Sequence, residues 1–261
     1  MILLMLVKKR CFYSGRDSNS IPTVLSEGLF EPYTMSTTEF SKFSNKFYSP
    51  VNYYKVNPHR IIIQLQTILH NLNLEINDIF FIDNKIRMNI QNSQIGEIPE
   101  GLMSLCKMRQ EYIINNFKRI IDELVILFCI KHDLSYISVT DKIEILSIGE
   151  LISKKKSDLK DKIKAELSYD KFECIFSAIN DLHNAFKHDI LMNEARYMIG
   201  SNFLTITAVY APYGNINSDK IVILDHSFSQ IIIGFNDFIC DITEYLKFTG
   251  THSYNQYNTT I

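Results

Sequence analysis

The sequence predicts a mainly α fold, an up-and-down helical bundle carrying two short β-hairpins and an irregular N-terminal arm. Three observations carry this. Several long stretches repeat apolar residues every three to four positions, the period of a buried helix face. Two short stretches alternate apolar and polar residues instead, the period of a strand. Only 9 Gly and 6 Pro occur in 261 residues, too few for a fold crowded with tight turns. Four segments follow: an arm over 1–55, a helix plus small hairpin over 56–99, a helical bundle over 100–250 with a hairpin inserted at 203–224, and a tail over 251–261.

The elements can be justified in order. Met1–Val7 is apolar, but Lys8-Lys9-Arg10 follow it, the reverse of a secretory signal. Seven residues are also far short of the roughly 20 needed to span a membrane. A strand or plug packed on the body is expected there, with no membrane attachment. Residues 11–55 lack periodicity but hold many aromatics, which implies packing. Asn57-Pro58 suits a helix start, because Asn caps well and Pro fits the first turn. Ile61, Leu65, Ile68, Leu69 and Leu72 carry that helix to about Leu74. Ile79–Ile82, a polar Asp83-Asn84 and the alternating Ile86, Met88 and Ile90 read as the first hairpin.

The longest helix is expected over Glu100–His132. It becomes apolar on all sides past Ile120, so protein should surround it there. A shorter helix should start near Thr140 or Asp141 and end around Ile152. Lys154–Lys164 then holds six lysines against two aspartates, read as a solvated face, with a phosphate-contacting surface as the minority reading. A helix over Tyr169–Phe186 follows. Leu204–Tyr210 and Lys220–Leu224 form the second hairpin. Asp225 or Ser227 should cap the last helix, whose apolar face runs from Phe228 to Leu246.

Charge and motifs narrow the function. The net charge of −2 excludes a chain-wide basic field for nucleic acid. The five cysteines are widely spaced with no CxxC, so neither a disulfide framework nor a zinc ribbon is expected, and a reducing cytoplasm fits best. No phosphate loop, HExxH, nucleophile elbow or Gly-rich dinucleotide turn occurs, so no cofactor is implied. His183 and His188 stand five apart, whereas a helix stacks metal ligands at i,i+4. No metal site is expected.

One segment stands out. His183-Asn184-Ala185-Phe186-Lys187-His188 closes an apolar-periodic helix with polar residues. It resembles the R-N-x-x-x-H signature of the HEPN superfamily, with His183 where that family has Arg. The resemblance covers roughly residues 100–248. It implies a helical bundle with the motif at a helix end, a homodimer, and in many members metal-independent cleavage of RNA in toxin–antitoxin or phage-defence systems. It makes His188 the catalytic histidine and Asn184 the polar residue after the family's Arg. A cation would then stabilise the phosphorane, supplied by protonated His183, by Lys187, or by Arg109 or Arg119 from the long helix. Lys154, Lys155, Lys156 and Lys187 are the candidate RNA contacts. An antitoxin or defence-system protein is the implied partner. The missing Arg equally suits a non-catalytic dimerisation or interaction module. The aromatic arm is the sole support for a third reading, a nucleotide-binding pocket.

Overall fold

A computed structural model describes residues 7–9, 58–91, 100–140, 142–153, 157–188, 204–210 and 222–249 of the chain. The expected arm over 1–55, apart from residues 7–9, the hairpin tip at 211–221 and the tail from Gly250 lie outside the described residues. In order, the elements are β1 (Val7–Lys9), α1 (Pro58–Gln91), α2 (Glu100–Thr140), α3 (Ile148–Ile152), α4 (Asp158–Glu166), α5 (Tyr169–His188), β2 (Thr205–Tyr210), β3 (Val222–Ser227) and α6 (Phe228–Thr249). The fold is mainly α, as the periodicity predicts.

The first hairpin does not form. Residues 79–90 continue α1 without a break. Leu72, Ile76, Ile79, Ile82 and Ile86 are all buried, three or four residues apart, and this longer-range period overrides the local alternation. Met88, which the alternation pairs with Ile86, points to solvent. The supposed turn at Asp83 is helical. Its carboxylate accepts a hydrogen bond from Arg87 Nε at 2.7 Å, one turn along.

The chain divides into two compact units that interleave in sequence. The first draws on Asn71–Lys118 and Cys174–Phe235, with β1. The second draws on Arg119–Glu173 and the part of α6 from Asn236 onward.

In the first unit the second hairpin forms as expected, β2 antiparallel to β3, with Thr205 opposite Ser227 and Tyr210 opposite Val222. β1 adds in parallel on the other side of β3, Val7 opposite Val222 and Lys9 opposite Leu224. The N-terminal strand therefore sits later than its apolar run suggests and takes in Lys8 and Lys9. Leu204, Ile206 and Ala208 are buried at every second position. Phe117 and Phe235 stack with centroids 3.9 Å apart, both fully buried. Ser227 is the cap of α6, its hydroxyl accepting from Gln230 N at 3.4 Å. Asp225, the other candidate cap, is instead buried in β3, where Thr207 Oγ1 donates to it at 3.3 Å.

In the second unit α2 departs from helical geometry at Asp133 (φ −130°, ψ 31°), next to the expected end at His132, and then continues to Thr140. The short helix starts later than Thr140. Ser147 caps it, accepting from Glu150 N, while Asp122 Oδ1 accepts from Ile148 N at 2.8 Å. Phe172 and Phe238 pack edge to face at 5.5 Å.

The lysine-rich run is not a uniformly solvated face. Lys160 is only 7% exposed. Its ammonium donates to Glu150 O at 2.6 Å and to Ser153 Oγ at 2.7 Å, closing the C-terminal end of α3, where a cation is favourable. Lys160→Ala is expected to cost about 2 kcal/mol, because hydrogen bonds to charged groups contribute about 1.5–3 kcal/mol. A urea titration that leaves the midpoint unmoved would contradict this role.

Asp241 anchors α6 to the start of α5, accepting from Ser168 Oγ at 2.7 Å and Lys171 Nζ at 2.6 Å. Burial pushes its carboxyl up, but these hydrogen bonds and the Lys171 charge outweigh burial and hold it below its ordinary value of 3.8. A depressed folded-state pKa gives stability that is fully present above that ordinary value and lost as pH falls through the depressed one. Asp241→Asn should therefore flatten the acid limb of a stability-against-pH curve, and an unchanged limb would contradict the assignment.

Candidate functional site

The motif lies in the last two turns of α5, in the first unit. Ile179, Leu182 and Ala185 are buried and fix the inward face of this helix. His183 and Asn184 follow Leu182 at the edge of that face and are half-buried. Lys187 is exposed. His188 is the last helical residue, and its side chain lies outside the described residues.

His183 is neither a core histidine nor a bare surface group. Its Nδ1 lies 2.9 Å from Asn115 Oδ1 of α2. An amide oxygen can only accept, so Nδ1 carries the proton in this contact. That contact fixes the ring plane. The sequence reading missed Asn115. A signal was present: Leu105, Met108 and Tyr112 run down one face of α2 at helical spacing, and Asn115 is the next position on it.

Arg109 is engaged by Glu75 and by Asp78, at 2.9 Å for the latter, both on α1. Arg119 is exposed in the second unit, where its charge only partly offsets the burial that pushes the Glu123 carboxyl up. Lys154, Lys155 and Lys156 fall outside the described residues, and their neighbour Lys160 is occupied as a helix clasp. Of the nominated cations, Lys187 and a protonated His183 belong to the motif itself.

Other chemistries have weaker footing. Cys106 is buried, and desolvation, aided by Asp83 and only partly opposed by Arg87, pushes its thiol up to about 12. Burial also raises Cys129. Thiols so raised are poor nucleophiles. Cys106, Cys129 and Cys240 carry no disulfide, whereas Cys174 is disulfide-bonded, where the spacing of the cysteines predicts no disulfide framework. Among the described residues no group of three or more His, Cys, Asp or Glu could hold a metal ion. Among them, too, no helix is long and apolar enough to cross a membrane.

Comparison with known proteins gives no match to any family model, curated protein or solved structure.

Proposed function

We propose that this chain is a HEPN-like protein that cleaves RNA without a metal ion, as a bacterial toxin or phage-defence component. The observation that carries the reading is the His183–His188 motif at the end of a 20-residue helix, with the His183 ring held by Asn115. In this reading His188 removes the proton of a ribose 2′-hydroxyl. The 2′-oxygen attacks the adjacent phosphorus, and the 5′-oxygen leaves with a proton returned by an acid at the site. Charge on the phosphorane is met by protonated His183 and by Lys187. Asn184, four residues before His188, is placed one helical turn away to orient it.

RNA as substrate, a homodimer, an antitoxin or defence-system partner and a cytoplasmic site of action belong to the same proposal. Among the described residues Cys106, Cys129 and Cys240 carry no disulfide, which suits a reducing compartment, whereas the disulfide at Cys174 does not.

The test is expression of wild type and His188→Ala in a bacterial host, following growth and total RNA integrity. Growth arrest with RNA cleavage in the wild type alone is expected. A wild type that neither arrests growth nor cuts RNA would overturn the reading.

A second reading, a non-catalytic interaction module, is favoured by a specific observation. Leu74, Phe81 and Met88 on α1 are more than half exposed. Under that reading His188→Ala leaves the biological effect intact, while a charge placed in the exposed stripe removes it.

A further inference from the structure

In the first unit, six large apolar side chains are turned to solvent. Leu74, Phe81 and Met88 on α1 are 57%, 60% and 53% exposed, and Leu105, Met108 and Tyr112 on α2 are 37%, 64% and 42% exposed. The three on α1 are spaced seven apart, so they lie in one line about 21 Å long. This line is opposite the buried line of Leu72, Ile76, Ile79 and Ile86. Arg109 bridges α2 to Glu75 and Asp78 of α1, so the two helices lie side by side there. Exposed apolar stripes on two neighbouring helices mark an interaction surface.

We propose that this face docks a second copy of the chain, with α1 packing antiparallel on the other copy's α1 about a two-fold axis at Phe81. The case rests on self-complementarity. A two-fold axis at Phe81 sets Leu74 against Met88 of the second copy and Phe81 against itself. At 100° per residue, Asp78 and Lys85 both flank one side of the stripe, and Asn77 and Asn84 flank the other. All four are exposed. An antiparallel pairing puts Asp78, which also holds Arg109 of its own copy, beside Lys85 of the second copy, twice by symmetry, and Asn77 beside Asn84. A parallel pairing would set Asp78 and Lys85 beside Asn77 and Asn84 of the second copy, with no charge contact, so charge favours the antiparallel arrangement. Within one copy Lys85 lies over the Phe81 ring at 4.4 Å, which holds its charge at the rim of the seam. The repeat of one apolar residue per seven is half of a coiled-coil seam, and the α2 stripe widens it.

The proposal takes up the homodimer of the preceding section but not its chemistry: this seam forms whether or not the motif cuts RNA. The test is the molar mass of the purified full chain in solution, by sedimentation equilibrium over a wide range of concentration. The wild type is expected to be a dimer and Phe81→Glu a monomer with an unchanged circular dichroism spectrum, since Phe81 is exposed. Asp78→Lys alone, or Lys85→Asp alone, should weaken self-association about tenfold, because each reversal turns two attractive contacts repulsive. The double reversal should restore it. A wild type that stays monomeric, and so leaves the face to a different protein, overturns the proposal. A dimer indifferent to Phe81→Glu overturns it too, and a double reversal that fails to restore association overturns the antiparallel register. RNA cleavage is not a readout here, so failure of the nuclease reading and failure of this one are separable.

Discussion

Replacing Phe117 by alanine is expected to destabilise the protein by about 3–5 kcal/mol, the usual loss for deleting a buried phenyl ring. Phe117 is fully buried and stacks on Phe235 with an interplanar angle of 17°. The substitution loses the transfer energy of the ring, leaves a cavity and strips one face of Phe235. Against a typical total stability of about 5–15 kcal/mol this is about a fifth or more of what a domain has. Phe81→Ala is the internal control. That ring is 60% exposed, and its removal should change stability by about 0.5 kcal/mol or less in the monomer. Urea unfolding of both variants checks the pair. Equal midpoints would contradict the assignment of core and surface.

His188→Ala is expected to lower RNA cleavage by about 10²–10⁴-fold, the range supplied by a positioned general acid or base. The fold should be untouched, because His188 is the last residue of its helix, where ends fray. His183 is expected to behave differently. His183→Ala removes a cation and the contact with Asn115, whereas His183→Arg restores a permanent charge with a planar fork suited to phosphate. The arginine variant should therefore match or exceed the wild type, most clearly at alkaline pH, where a histidine is neutral. Asn115→Ala should fall between, because it frees the ring without removing it. An arginine variant as inactive as His183→Ala would argue that His183 is held for packing and not for charge.

The helices were legible where one period persists. α5 and α6 were read within two or three residues, because their apolar faces repeat without interruption and their starts fall at recognisable positions. The hairpin at β2 and β3 was legible for the same reason at period two. The error at 79–90 came from a window too short to decide. Ile86, Met88 and Ile90 alternate over five residues, but the helical period is only seen against Leu72 and Ile76, more than a turn upstream. The polar pair Asp83-Asn84 looked like a turn because Arg87, the partner that makes a buried Asp83 tolerable in a helix, acts through space.

The site was legible only in its linear part. His183, Asn184 and His188 are read off one helix, but Asn115 lies 68 positions away from His183 and no local pattern links them. Lys160 shows the converse. It sits in a run of charge that reads as solvated, and its burial follows from carbonyl and hydroxyl groups of the preceding helix that need a donor. Charge runs give composition, whereas burial is decided by the neighbours the fold supplies.

The most direct test of the central claim is a digest of RNA by the purified chain in the presence of a chelator, with the ends of the fragments identified. The account predicts fragments with 2′,3′-cyclic phosphate and 5′-hydroxyl ends from the wild type, and intact RNA from His188→Ala. Intact RNA from both proteins, or equal cleavage by both, would contradict it.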